Sequence, residues 1–188
     1  MRIIAGEFRG RRLLSPRGTS TRPITDRVKQ SLFDVLAGRP EGAMVYDLFA
    51  GTGSLGLEAL SRGARHVSFF EADRSATALL RRNISALGCE ARCAVVAADV
   101  FACLCRRGRS APAERADLIF LDPPYRFLVE RADDLRELAR SLADAYLAPG
   151  GLIVFRHDAR DELELPPLAL VDRREYGRMA VELLTPAA

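Results

Sequence analysis

The tetrapeptide Asp122-Pro123-Pro124-Tyr125 brings an acceptor, a rigid turn and an aromatic ring together in four residues. Two consecutive prolines cannot continue a strand ladder and do not sit comfortably inside a helix, so they fix a turn. A carboxylate and a backbone carbonyl held in such a turn can accept both N–H bonds of an exocyclic amine. That nitrogen is a poor nucleophile, because its lone pair is delocalised into the ring that carries it. With Asp122 and the Pro123 carbonyl holding its hydrogens, the lone pair can face an electrophile. Tyr125 can stack on the ring, a contact worth about 1–3 kcal/mol per base. The chemistry this suits is methyl transfer to the amine by in-line displacement. Positioning supplies most of the catalysis, with electrostatic help as the amine gains charge. It calls for neither a metal nor a strong base.

A second set of residues lies upstream. Asp47-Leu48-Phe49-Ala50-Gly51-Thr52-Gly53-Ser54-Leu55-Gly56 satisfies G-x-G-x-x-G, and Glu71 follows at the spacing of a ribose-binding acid. On those residues alone a nicotinamide enzyme is allowed. Asp47 argues otherwise. A carboxylate four residues before Gly51 repels a pyrophosphate and suits a cationic ligand. S-adenosylmethionine carries a sulfonium, an ammonium and no phosphate. Asp99, in Ala97-Ala98-Asp99-Val100, can accept from an adenine amino group while Val100 packs the ring. Asp99 is equally placed to cap the helix that follows.

These residues need a scaffold that delivers them to one edge. Apolar runs with strand character fall at residues 43–49, 66–70, 93–97, 117–121 and 151–155. Helix-like stretches at about 54–62, 74–87, 99–107 and 131–146 alternate with them. That alternation predicts a mostly parallel, doubly wound α/β sheet. Residues 168–172 and 179–184 read as two more strands with no room for a helix between them, hence an antiparallel hairpin. Before residue 41 the pattern differs. Residues 2–8 and 11–15 predict a short hairpin around Arg9-Gly10. Thr25 can cap a helix whose apolar face is Val28, Leu32, Val35 and Leu36, ended by Gly38 and Pro40. The expected organisation is an extension over residues 1–40 and a catalytic domain over 41–188.

The chain has 188 residues and a net charge of +3, unevenly spread. Residues 1–29 hold eight basic residues against Glu7 and Asp26. A basic arm on a near-neutral body fits a polyanion-binding appendage. An Arg-rich composition would give the same excess, since Lys29 is the only lysine. Cys89, Cys93, Cys103 and Cys105 lack paired C-x2-C knuckles, so buried free thiols are expected rather than zinc. No window is long and apolar enough for a membrane span, and the N-terminus lacks a signal-peptide h-region. A cytoplasmic protein is expected.

Asp47 through Gly53, Glu71, Asp99 and the Asp122 tetrapeptide, in this order, resemble the class I amino-methyltransferases over residues 43–157. That resemblance implies a Rossmann-like sheet of seven strands with the last antiparallel. Four further segments are similar to the bacterial 16S ribosomal RNA guanine-N2 methyltransferases of the RsmD family. They are Arg2-Ile3-Ile4-Ala5-Gly6, Arg9-Gly10-Arg11-Arg12-Leu13, Arg22 through Lys29, and Leu57 through Ala64. Ile24 departs from that family's usual Thr. The resemblance implies methyl transfer from S-adenosylmethionine, leaving S-adenosylhomocysteine, to the 2-amino group of one guanine in small-subunit RNA, presented in a particle to a monomeric enzyme. By position, Asp47, Gly51 and Gly53 would line the methionine end, Glu71 would hold the ribose, and Asp99 with Val100 the adenine. Phe49, Ala72 and Asp122 would also touch the cofactor. Asp122, Pro123 and Tyr125 would hold the guanine, and Arg9, Arg11, Arg12 and Arg22 the RNA. A DNA adenine-N6 methyltransferase would use the same tetrapeptide, though 188 residues leave little room for its usual recognition domain. A protein-glutamine methyltransferase fits the basic arm less well. A non-catalytic RNA-binding module would need the arm but not the acids.

Overall fold

The computed structural model describes residues 1–15, 24–105 and 114–187. One sheet holds seven strands: β1 (Met44–Leu48), β2 (His66–Phe70), β3 (Cys93–Val96), β4 (Ala116–Leu121), β5 (Leu147–Asp158), β6 (Leu168–Tyr176) and β7 (Met179–Pro186). Their spatial order is β3-β2-β1-β4-β5-β7-β6. Strands β1 to β5 pair in parallel, and β7 runs antiparallel to both β5 and β6. This is the expected mostly parallel sheet with its last strand reversed. The chain switches direction between β1 and β4, and in such sheets ligands sit beyond the strands' carboxyl ends at that point.

Helices cover both faces. On one face lie α1 (Asp26–Leu36), α2 (Ser54–Ser61) and α3 (Arg74–Leu87). Leu32, Leu60 and Leu80 pack there with Val45, Val67 and Phe120. On the other lie α4 (Val100–Leu104), α5 (Phe127–Glu130) and α6 (Ala132–Ser141), extended by a π-helical turn through Tyr146. Leu104, Leu135 and Leu138 pack there with Tyr46, Ile119 and Phe155. Neighbouring residues of one strand feed opposite cores, as the two-residue repeat of a strand requires. As expected, Thr25 caps α1, its Oγ1 accepting from the Val28 N–H at 3.3 Å.

The N-terminal segment departs from its expected form. Instead of strands at residues 2–8 and 11–15 there is a single antiparallel bridge between Arg2 and Arg12. Ile3, Gly10 and Leu13 N–H groups still bond within the arm, to the Arg11, Ile3 and Met1 carbonyls, but other donors are spent on α2. Ile4 and Ala5 N–H groups donate to the two carboxylate oxygens of Glu58 at 2.8 and 3.1 Å, and the Phe8 N–H donates to Ser61 Oγ at 2.9 Å. Gly6 sits at φ +79°, and a Cβ there would lie 1.7 Å from the Ser61 carbonyl oxygen. Only glycine lets the segment lie so close to α2. Glu58 is fully buried and also meets Lys29 at 3.4 Å and Arg62 at 2.9 Å. Burial lowers the Lys29 pKa, and Glu58 opposes the shift. Stranding either cation without this carboxylate would cost about 3–5 kcal/mol.

Other boundaries also differ. Strands β6 and β7 extend to Tyr176 and Pro186, so most of the charged stretch read as a loop is paired. Helix α5 was not foreseen. The expected helix 99–107 is described only through Leu104, and residues 106 and 107 lie outside the described residues. Cys89 and Cys103 are buried, and Cys93 and Cys105 are half-buried, all as free thiols. No helix among the described residues is long and apolar enough to cross a membrane.

Candidate active site

The carboxyl ends of β1, β2, β3 and β4 carry Asp47, Glu71, Asp99 and Asp122 respectively, in or just beyond each strand. Cross-strand bonds continue past the strand ends. The Ala50 N–H donates to the Phe70 carbonyl at 3.0 Å and the Glu71 N–H to that of Val96 at 3.1 Å. The Asp122 N–H points at the Leu48 carbonyl at 3.5 Å. The glycine-rich loop and the Asp-Pro-Pro-Tyr turn are therefore adjacent at the switch point.

Asp47 is 2 % exposed. Its Oδ2 accepts from the Gly56 N–H at 2.8 Å. A Cβ on Gly56 would lie 2.4 Å from the Phe69 ring and 2.9 Å from that same Oδ2. The third glycine of the motif thus makes room for a carboxylate inside the fold. Burial pushes the Asp47 carboxyl well above its usual range, against the Gly56 N–H. The neighbouring Asp122 and Glu71 push the same way, and Arg156 opposes them. A cation arriving beside Asp47 would favour its charged form.

Glu71 folds back on the loop. Its Oε2 accepts from the Gly51 N–H at 2.7 Å, and its Oε1 from the Asp73 N–H at 2.7 Å. Each oxygen keeps a second lone pair for a hydroxyl donor. Ala72 follows it, exposed. Asp99 caps α4, its Oδ1 accepting from Phe101 and Ala102 at 2.8 and 3.4 Å. The capping role is thus realised. Its Oδ2 faces the Arg131 guanidinium at 3.5 Å. Val100 is buried in the α4–α6 core. Phe49, Phe101 and Phe127 form an aromatic trio with ring centroids 5.6 to 6.1 Å apart. The Arg131 guanidinium lies 3.9 Å from the Phe101 ring centroid. The trio ties together the segments that follow β1, β3 and β4. Phe49 itself adopts φ +59°, rare for a bulky residue.

In the turn, Pro123 is buried, while Asp122, Pro124 and Tyr125 are half-buried. The Pro124 and Tyr125 carbonyls accept from Phe127 and Leu128 at 2.8 and 3.1 Å, tying the turn to α5. The main surprise is Arg156, in β5. Its Nε donates to Asp122 Oδ1 at 2.7 Å and its Nη2 to Oδ2 at 2.5 Å, a bidentate clamp. Both groups are largely buried, with side chains 12 % and 17 % exposed. Sequence reasoning passed over Arg156. The available signal was a lone cation ending the apolar run Leu152-Ile153-Val154-Phe155 at the ligand edge.

The arm residues lie apart from this crevice, on α2 and α3. Arg9, Arg11 and Arg12 are exposed, and Arg22 lies outside the described residues. Arg11 donates to the Ala86 carbonyl of α3. The buried Asn83 of α3 joins the arm to the glycine-rich loop. Its Oδ1 accepts from the Leu14 N–H at 2.8 Å, and its Nδ2 reaches the Leu14 and Thr52 carbonyls at 3.1 and 3.0 Å. Among the described residues no group of three or more His, Cys, Asp or Glu is arranged to hold a metal.

Comparison with known proteins agrees with this geometry. A family model described as "Conserved hypothetical protein 95" matches residues 1–185. YlbH of Bacillus subtilis is 37 % identical over 97 % of this chain and 97 % of its own. Ribosomal RNA small subunit methyltransferase D of Haemophilus influenzae is 38 % identical over 81 % of this chain and 76 % of its own. The solved structure of yhhF from Escherichia coli superposes with a TM-score of 0.83 at 34 % identity, covering 99 % of this chain and 97 % of that one. The fold is that of the class I methyltransferases, and the chain belongs to the family of conserved hypothetical protein 95, the RsmD family of methyltransferases.

Proposed function

We propose that this protein transfers a methyl group from S-adenosylmethionine to the exocyclic N2 amine of a guanine in 16S ribosomal RNA of the small subunit. The observation that carries the reading is the placement of the Asp122 turn beside the Asp47 loop, across the Asp122–Leu48 backbone contact. Relatives named ribosomal RNA small subunit methyltransferase D support the substrate class.

The donor set fits the cofactor. Asp47 suits the ammonium end, the loop at Gly51 and Gly53 the methionine portion, and Glu71 the ribose hydroxyls. Asp99 keeps Oδ2 for an adenine amine if Arg131 yields. Phe49, Ala72 and Val100 flank these groups. When bound, S-adenosylmethionine supplies an electrophilic methyl carbon on sulfur. The protein's own part is to present the nucleophile. Asp122 can accept one amine hydrogen with a lone pair left over by Arg156, and the Pro123 carbonyl can accept the other. Tyr125 offers its ring to the base. The closely spaced acids stabilise positive charge building on the amine. Residues 1–40 then serve as an RNA-docking extension through Arg9, Arg11, Arg12 and Arg22. The enzyme works as a cytoplasmic monomer on RNA within a particle. Adenine N6 would satisfy the same turn, so the choice of guanine rests on the relatives.

Titration calorimetry tests the cofactor half. S-adenosylmethionine and S-adenosylhomocysteine should bind, and NADH should not. Because burial raises the Asp47 pKa, Asp47 holds its proton to higher pH than an ordinary carboxyl, and a bound ammonium favours its loss. Affinity should therefore rise with pH on the acid side, with proton release visible in buffers of different ionisation enthalpy. Preference for NADH would defeat the reading.

A further inference from the structure

We propose that the RNA-docking surface extends beyond the arm onto the exposed stripe of α3, where Arg74, Arg81 and Arg82 grip the sugar–phosphate backbone of the same RNA. The inference rests on the proposed RNA substrate and adds a second element to its binding surface.

The pairing of the arginines carries it. Arginines are abundant throughout this chain, and most of the described ones are engaged. Arg126, Arg131, Arg136 and Arg140, on or beside α5 and α6, all face carboxylates. Arg156, Arg160, Arg173, Arg174 and Arg178, at the antiparallel end of the sheet, do too. Arg2, Arg62, Arg65 and Arg92 pair with acids, and Arg11, Arg39 and Arg115 donate to carbonyls. Among the described residues, the arginines left without a carboxylate or carbonyl partner are Arg9, Arg12, Arg27, Arg74, Arg81 and Arg82. All six belong to the arm, α1 or α3, on one face of the sheet. A merely Arg-rich composition would scatter unpaired guanidiniums over the whole surface.

Helix electrostatics do not account for the α3 arginines. The helix Arg-Ser-Ala-Thr-Ala-Leu-Leu-Arg-Arg-Asn-Ile-Ser-Ala-Leu contains no acid, and none of its arginines lies in the last turn. Arg74 instead occupies the first turn, where the helix dipole disfavours a cation. Arg81 and Arg82 are adjacent like charges, and all three are exposed. Arg74 and Arg81 are two turns apart on one side of the helix, about 10 Å along its axis. Arg82 lies one turn before Ala86, whose carbonyl receives Arg11 of the arm. Arm and helix therefore form one surface, pinned by Asn83 and, through the turn after α3, by the Glu7–Arg92 ion pair at 2.7 Å. Planar guanidinium forks free of protein acids suit phosphates.

The test compares the full chain with its R74A/R81A/R82A variant, using a 16S ribosomal RNA transcript and small-subunit particles. Binding is measured across a salt series, with cofactor affinity and melting temperature alongside. The variant should keep both of those, because its three side chains lack partners in the fold. Its affinity for the transcript should fall at least about tenfold, and the slope of log K against log salt should shrink by about 2 to 3. Unchanged affinity and slope, with wild type active on RNA, would overturn the α3 surface and leave the proposed function standing. A loss confined to particles would assign the stripe to an acidic protein there, and also overturn it. A wild type that neither binds nor methylates ribosomal RNA would sink the proposed function and this surface with it.

Discussion

An Asp122→Ala enzyme is expected to methylate at least about 10²-fold more slowly, while calorimetry still shows S-adenosylmethionine bound with near-normal affinity. The expectation follows from what Asp122 contacts. It supplies the one carboxyl group of the turn, and losing a single preorganised group at a reacting centre typically costs about 10²–10³ in rate. In the proposed reading the cofactor is held mainly by Asp47, the glycine loop and Glu71, which hold one another through the Gly56 and Gly51 N–H groups. A kcat effect with little change in cofactor affinity is therefore the signature. Asp122→Asn sharpens the test. Its carbonyl oxygen can still accept from an amine, but the bidentate partner of Arg156 is gone. It should retain more activity than the alanine variant and less than wild type. A fully active Asp122→Ala enzyme would remove Asp122 from the chemistry.

The second large effect is expected at Arg156. This guanidinium holds both Asp122 oxygens and sits beside the buried Asp47. In the proposed reading it acts through Asp122 and is a positioning residue. Burial opposes its charge, and Asp122, helped by Tyr125 and Asp47, more than offsets that, raising the Arg156 pKa. In Arg156→Ala, Asp122 is left without its clamp beside another carboxylate, and its orientation is lost. Misplacing a positioned group by about 1 Å can cost about 10²-fold. Arg156→Ala should thus lower kcat by about 10²-fold, with a smaller change in KM for RNA. Arg156→Lys keeps the charge but not the fork, and should recover only part of the loss. Equal activity of the lysine and wild-type enzymes would show that charge alone suffices. A purely structural role would instead lower stability and leave kcat of the folded fraction unchanged.

Local features were legible in the sequence and distant pairings were not. The glycine loop, Glu71 and the double-proline turn each announce themselves within a few residues. The strands that end in them are short apolar runs whose bounds fell within a residue or two of those observed. Arg156 was passed over because its partner, 34 residues away, gives its meaning. The arm misled for a similar reason. Its apolar residues suggested a regular hairpin, but the Ile4, Ala5 and Phe8 N–H groups bond to Glu58 and Ser61, more than 50 residues away. Strand β6 was cut short because Arg173, Arg174 and Glu175 look like a loop. It is the edge strand of the sheet, where charges deter further pairing, and Arg173 meets Glu182 of β7 at 3.1 Å. Asp99 shows the limit of local reading. Its two roles were both visible, and the helix cap is the one the fold displays.

The decisive measurement is the identity of the methylated nucleoside. The enzyme is incubated with radiolabelled S-adenosylmethionine and small-subunit particles, naked 16S ribosomal RNA or duplex DNA. The nucleic acid is then digested and its nucleosides separated. Label should appear in N2-methylguanosine from ribosomal RNA, and be absent from DNA. Label in N6-methyladenine, or transfer to DNA in preference to RNA, would contradict the assignment of guanine N2 in ribosomal RNA.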